Sequence, residues 1–246
     1  NYNIWRGAIL MALQLLKDGK TFADINSEEP KICFLHGWGG SSSDFSLITN
    51  NFESIAIDLP GFGKSKEPES SMNPKEYAEY IINLIPDTVE VLVGHSFGGK
   101  VAVHMSFMKN YKNLVLIGSP LIRKTPEVTL NLRLNLYKFL NSLNLISDKR
   151  LEKYKNKYGS EDYKNAEGIM RDSLVKTVNE DLSELLPKID INVKLIWGEK
   201  DVIVPLSIGE EANNKFKDSQ LTVFKDAGHN MLRRKSNEIT KIIKEL

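Results

Sequence analysis

The chain has 246 residues, of which 26% are charged and 41% apolar, and a formal net charge of +1. That size fits one α/β domain, or one domain with an insertion, and nothing in the near-neutral balance suggests an electrostatic partner such as nucleic acid or an anionic membrane. No apolar run reaches the ~20 residues of a membrane span, and the single cysteine, Cys33 within Ile32-Cys33-Phe34-Leu35, has no internal disulfide partner and reads as a core thiol.

Residues 3–18 are rich in Ala, Leu, Met and Gln, which predicts a helix stopped at Asp18-Gly19. The run Ala8-Ile9-Leu10-Met11-Ala12-Leu13 beside Arg6 resembles a short signal core, but no small-residue cleavage site follows it. It reads as an amphipathic or docking helix, and the expected location is cytoplasmic. Thr21–Ile25 reads as a short strand. Residues 1–30 are therefore expected to be an N-terminal helix and strand.

From residue 31 strands and helices alternate. Lys31–Leu35 is a buried strand running into the glycine loop His36-Gly37-Trp38-Gly39-Gly40. Ser43-Asp44 reads as the cap of a helix over Phe45–Asn51. Ser54–Asp58 is the next strand, ending in a second glycine loop, Leu59-Pro60-Gly61-Phe62-Gly63. Pro74 suits the first turn of a helix through Ile85. Val89–Val93 is a strand, Lys100–Lys109 a helix, and Asn113–Ile117 a strand stopped by Gly118-Ser119-Pro120. Residues 31–119 thus form the first part of an α/β core.

The alternation breaks over 120–187. Helical spacing, as in Leu130, Leu134, Tyr137 and Leu140, predicts an all-helical insertion. Because it leaves the chain at a strand's C-terminal end, it is expected to cap the sheet's C-terminal edge, where ligands bind in open α/β sheets. Its charged residues Lys149, Arg150, Lys153, Lys155 and Lys157 read as a solvated face. Residues 188–246 return to the core: a strand at Val193–Trp197, a helix over 205–217, a strand at Leu221–Phe224 and an amphipathic helix over 233–245. Ile239, Ile242, Ile243 and Leu246 lie on the apolar face of that last helix. The predicted fold class is α/β, a mainly parallel central sheet with helices on both faces and a helical cap.

The chemistry gathers at strand ends. Val91-Leu92-Val93-Gly94-His95-Ser96-Phe97-Gly98-Gly99 is strand, sharp turn and helix with a serine at the apex, the nucleophile-elbow pattern Gly-x-Ser-x-Gly. A serine hydroxyl needs a base within hydrogen-bond reach and an acid to orient that base. Of the four histidines, His36 and His95 are held in glycine loops and His104 lies inside a helix, which leaves His229 in Asp226-Ala227-Gly228-His229-Asn230. The acid is expected from Trp197-Gly198-Glu199-Lys200-Asp201, with Asp201 first and Glu199 as the fallback. The order Ser96, Asp201, His229 suits this arrangement. Backbone N–H groups of Trp38 and Phe97 are the candidate oxyanion donors. Trp38, Phe97, Leu121, Ile122 and Val202 are candidate walls of a substrate pocket.

With these motifs in order, the chain resembles the α/β-hydrolase superfamily, in its branch with a helical cap. The match runs through His36-Gly37-Trp38-Gly39-Gly40, Asp58-Leu59-Pro60-Gly61-Phe62-Gly63-Lys64-Ser65, the elbow, Trp197-Gly198-x-x-Asp201-x-x-x-Pro205 and Gly228-His229, and covers residues 31–246. The resemblance implies the fold and the triad, and not the substrate. Two departures matter. The family usually opens with a β-hairpin, where residues 1–20 here read as helical. Its dehalogenases and epoxide hydrolases carry aspartate where Ser96 stands. His95 before the serine resembles many esterases and lipases, whereas carbon–carbon bond hydrolases often have asparagine there. Prolyl aminopeptidases typically show Gly-Gly-Ser-Trp-Gly, which is absent.

The leading expectation is a carboxylesterase-like serine hydrolase acting on a small to medium ester, with no metal or organic cofactor, as a monomer or homodimer. Thioester or C–C bond hydrolysis, or a lyase step, on the same triad stays open because fold does not fix function. So does a non-catalytic ligand-binding or signalling role.

Overall fold

A computed structural model of the protein describes residues 12–123 and 161–246, together with 147 and 149. Its centre is an eight-stranded sheet: β1 (Ala12–Leu15), β2 (Phe22–Ile25), β3 (Ile32–Leu35), β4 (Ser54–Asp58), β5 (Val91–His95), β6 (Asn113–Ile117), β7 (Asn192–Gly198) and β8 (Ser219–Phe224). The order is β1-β2-β4-β3-β5-β6-β7-β8. The pairs β1–β2 and β2–β4 are antiparallel, and every pair from β4 to β8 is parallel.

The short central strands are apolar on both faces because helices cover both. Every residue of β3 and β4 is buried. Alternate residues then feed two cores. Cys33, Leu35, Ile57 and Leu92 pack with helices Pro74–Ile81 and Phe97–Met105, while Ile32, Phe34, Ala56 and Val93 pack with helices Met231–Arg234 and Ser236–Lys244. Ile239 and Ile243 of the last helix are buried there, with Ile242 and Leu246 packed against the same core.

The N-terminal helix expected over 3–18 is not what the structure shows for 12–18. Ala12–Leu15 is a strand, paired from Ala12↔Ile25 to Leu15↔Phe22. Residues 1–11 lie outside the described residues. The Asp18-Gly19 signal marks a hairpin turn rather than a helix stop. Asp18 Oδ1 accepts from the N–H groups of Lys20 and Thr21, both at 3.0 Å. Its Oδ2 accepts from Thr21 Oγ1 and from the Tyr80 hydroxyl of a distant helix, each at 2.6 Å. Gly19 takes φ +68° there, in the left-handed region. Helix propensities differ by only tenths of a kcal/mol per residue, so strand pairing and this turn override them. The described residues therefore begin with a β-hairpin, Ala12–Leu15 with Phe22–Ile25, in place of the expected helix.

Elsewhere the boundaries shift by a few residues. The helix expected from Phe45 begins as a 3₁₀ turn, Ser42–Phe45, and continues as Ser46–Thr49. Its first turn is closed by Asp44 accepting from the Ser41 N–H at 3.2 Å. The helix begun by Pro74 ends at Ile81 rather than Ile85. Most of the expected cap, with Leu130, Leu134, Tyr137, Leu140, Arg150, Lys153, Lys155 and Lys157, lies outside the described residues. Its described part holds the helices Glu161–Asn165 and Gly168–Asn179. Among the described residues, no helix is long and apolar enough to cross a membrane.

Candidate active site

The segments after β3 to β8 all leave the C-terminal edge of the parallel sheet, and the candidate residues come from those after β3, β5, β6, β7 and β8. Ser96 stands directly after β5 with φ 50° and ψ −115°, the one non-glycine residue with positive φ among the described residues. Such a conformation costs of order 1–3 kcal/mol and persists only where the surroundings enforce it. The surroundings here are tight. A Cβ at Gly98 would lie 2.1 Å from the Leu35 carbonyl oxygen, and one at Gly94 would lie 2.5 Å from the Gly98 carbonyl oxygen. Strand, turn and helix thus approach closely enough that only glycine fits beside the serine.

His229 Nε2 lies 3.0 Å from Ser96 Oγ, and its Nδ1 lies 2.8 Å from Asp201 Oδ2. A carboxylate only accepts, so Nδ1 carries the proton and Nε2 turns its lone pair to the hydroxyl. Asp201 is buried, and its other oxygen accepts from the N–H groups of Ile203 at 2.9 Å and Val204 at 2.8 Å. Three donors hold the carboxylate in one orientation. Glu199, the alternative acid, is exposed.

Two further imidazoles brace the site. His36 Nε2 accepts from the Leu59 N–H at 2.9 Å, so Nδ1 holds the proton and donates to the Gly37 carbonyl at 2.7 Å. The ring ties the first glycine loop to the second, and burial pushes its pKa down. His95 donates from Nε2 to the backbone carbonyl of His229 at 3.1 Å. Burial, followed by the charge of His229 nearby, lowers the His95 pKa to about 4. Asp58, at the end of β4, accepts from the Ser42 N–H at 2.7 Å and the Lys64 N–H at 2.8 Å, joining the same two loops.

The N–H groups of Trp38 and Phe97 meet no acceptor among the described residues. Their rings pack edge to face with centroids 5.3 Å apart. The candidate pocket residues do not share one environment. Trp38 is half-buried, whereas Phe97, Leu121 and Ile122 are buried within the core that contains the elbow helix. Val202 is 86% exposed and encloses nothing among the described residues. Other neighbours were not singled out from sequence. Phe62 stacks 4.9 Å from Trp38, and Tyr77 stacks 5.1 Å from Phe97. Phe62 was findable, since it sits inside a glycine loop at a strand end. Tyr77 carries no signal that separates it from an ordinary helix core residue. Among the described residues, no group of three or more His, Cys, Asp or Glu side chains converges as a metal site.

The sequence profile of the alpha/beta hydrolase family matches residues 34–237, from β3 through the final helices. This chain belongs to that family. Among curated relatives, a pimeloyl-[acyl-carrier protein] methyl ester esterase of Pseudoalteromonas atlantica is 26% identical over 231 residues, covering 81% of this chain and 87% of the relative. A 2-hydroxy-6-oxononadienedioate/2-hydroxy-6-oxononatrienedioate hydrolase of Escherichia coli is 23% identical over 261 residues, covering 88% of each. Among solved structures, an esterase from Exiguobacterium antarcticum superposes with a TM-score of 0.68 at 21% identity, covering 96% of this chain and 98% of that one. This alpha/beta hydrolase therefore has both a methyl ester esterase and an oxononadienedioate hydrolase among its relatives.

Proposed function

We propose that this alpha/beta hydrolase is a serine hydrolase that cleaves the carboxylic ester of a small to medium substrate. The observation that carries the reading is the unbroken chain from Ser96 Oγ to His229 Nε2 at 3.0 Å and from His229 Nδ1 to Asp201 Oδ2 at 2.8 Å. On this reading His229 takes the Ser96 proton as Oγ attacks the acyl carbon. Asp201 holds the ring and stabilises the imidazolium. His229 then returns the proton to the departing alkoxide, and water activated by the same ring cleaves the acyl-enzyme. The Trp38 and Phe97 N–H groups are the donors for the oxyanion, and that neither meets an acceptor among the described residues supports the role. The positive end of the Phe97–Met105 helix points the same way.

The test is labelling of the folded chain with a fluorophosphonate, alongside turnover of short p-nitrophenyl esters. Ser96 should label, and Ser96→Ala should lose both labelling and turnover. Undiminished turnover in Ser96→Ala would overturn the assignment. The Escherichia coli relative favours a second reading, C–C bond hydrolysis on the same triad. Turnover of a vinylogous diketone with no turnover of any ester would select it.

A further inference from the structure

Lys100 takes no part in the chemistry above, yet it is one of the largest fully buried side chains and only 2% exposed. It sits four residues after Ser96 in the elbow helix Phe97–Met105. Its Nζ donates to the carbonyl oxygens of Thr177 at 2.8 Å and Glu180 at 2.7 Å. Thr177 is in the last turn of the helix Gly168–Asn179, at the negative end of its dipole, and its carbonyl also accepts from the Glu180 N–H at 3.4 Å; Glu180 is the extended residue that follows the helix. One turn further along the elbow helix, His104 Nε2 lies 2.8 Å from Glu180 Oε1. Burying an ammonium costs several kcal/mol unless its hydrogen bonds are met, and here two backbone carbonyls, of Thr177 and Glu180, accept from it.

The same helix is seated along its length. At its N-terminal end Met170 packs so closely on Gly61 that a Cβ there would lie 2.4 Å from the sulfur. At its middle, Ser173 Oγ accepts from the Met72 N–H at 2.9 Å, and Lys176 Nζ donates to the Ser71 carbonyl at 2.6 Å. Gly61 adjoins Phe62, whose ring packs 4.9 Å from Trp38 and 6.1 Å from Phe97. The helix therefore leans on the loop that backs both proposed oxyanion donors, and its far end is pinned to the helix that Ser96 begins.

We propose that Lys100 is a positioning residue that clamps the helix Gly168–Asn179 between the elbow helix and the Gly61-Phe62 loop beside the proposed oxyanion donors, and so sets how long an acyl chain the site accepts. The proposal rests on the ester-hydrolase reading. The amine has N–H donors for both carbonyls whether or not it carries the third proton, so the clamp depends on the donors more than on the charge.

The experiment compares wild type, Lys100→Met and Lys100→Gln by amide hydrogen exchange and by hydrolysis of p-nitrophenyl acetate and octanoate. Lys100→Met keeps the length of the side chain without its donors, and Lys100→Gln keeps a neutral donor on a shorter stem. Freeing one end of the helix should speed exchange across 168–180 in Lys100→Met by about tenfold or more, with the sheet amides unchanged. The octanoate-to-acetate ratio of kcat/KM should shift by about fivefold or more, carried by KM rather than kcat. Lys100→Gln should fall between Lys100→Met and wild type. Unchanged exchange over 168–180, or faster exchange with an unchanged chain-length ratio, would overturn the clamp. If wild-type Ser96 fails to label and neither ester turns over, the hydrolase reading falls instead, and the exchange data still decide whether Lys100 pins the helix. If Lys100→Met does not fold, Lys100→Gln carries the same comparison.

Discussion

His95 and His229 are joined twice. Their rings lie 5.0 Å apart, and His95 Nε2 donates to the backbone carbonyl of His229 at 3.1 Å, across 134 residues of sequence. His95 is the last residue of β5 and Ser96 follows it, so the residue before the proposed nucleophile fixes the loop that carries the proposed base. Replacing His95 with Leu leaves that carbonyl without its donor. A net hydrogen bond of about 1–1.5 kcal/mol corresponds to a fall in kcat of roughly tenfold. His95→Gln, which keeps a donor near the same place, should recover most of it. Steady-state kinetics on both variants check this, and equal losses would count against a positioning role.

The same ring makes stability depend on pH. Its pKa is about 4 in the folded chain, against 6.5 for an ordinary histidine. Between those values the unfolded chain binds the proton and the folded chain does not, so stability falls as pH drops from 6.5 towards 4. Urea unfolding at several pH values should show a shallower fall in His95→Gln than in wild type.

Asp201→Asn tests the orienting acid. An amide can donate to Nδ1 and so favours the tautomer that places the proton on Nε2, facing Ser96 Oγ. The expected loss in kcat is about 10⁴-fold with KM little changed. Fluorophosphonate labelling should slow in parallel, and a loss below about tenfold would mean that Asp201 does not set the tautomer.

Lys100 acts on stability in the opposite pH range. Burial lowers its pKa to about 8 from 10.5, with Glu180 and Asp181 offsetting part of the effect. Between pH 8 and 10.5 the unfolded chain holds the extra proton, so this group makes the fold more stable as pH rises. Burial also raises the pKa of Cys33, Tyr77 and Tyr111, which adds alkaline pH dependence of its own, so the measurable quantity is the difference between wild type and Lys100→Met. Relative to the variant, wild type should gain stability across that window.

The N-terminal hairpin rests on Asp18. Burial raises its pKa, but hydrogen bonds from Thr21 and Tyr80 and from two backbone N–H groups outweigh that and bring it to about 2 from 3.8. Its contribution is complete above pH 3.8 and is lost as pH falls towards 2. Asp18→Ala should destabilise the chain by roughly 1–3 kcal/mol, read by urea unfolding at pH 7.

The site was more legible in the sequence than the N-terminus, and the reason is physical. Gly94, Ser96 and Gly98 announce the elbow because backbone crowding leaves no room for side chains at the flanking positions, a constraint written in residue type. Asp201 and His229 follow because each must stand at a strand end. Ala12–Leu15 could not be read the same way, since its pairing with Phe22–Ile25 is a tertiary fact and its residues favour helix in isolation. Lys100 was silent for a related cause. A lysine in a helix normally faces solvent, and the carbonyls of Thr177 and Glu180, at the end of the helix Gly168–Asn179, are what let this one be buried. Val202 shows the limit of neighbour arguments. It adjoins a buried aspartate, yet it is itself largely exposed.

The strand order carries a consequence for synthesis. The Ser96 elbow lies at the centre of the sheet, while His229 follows β8, the last strand at its far edge. Parallel pairing of distant segments is slow and forms late. A chain emerging from the ribosome therefore exposes Ser96 long before it holds the base that arms it. On the proposed mechanism, hydrolytic activity appears only after the final strand docks, and the return of activity on refolding reports completion of the whole sheet.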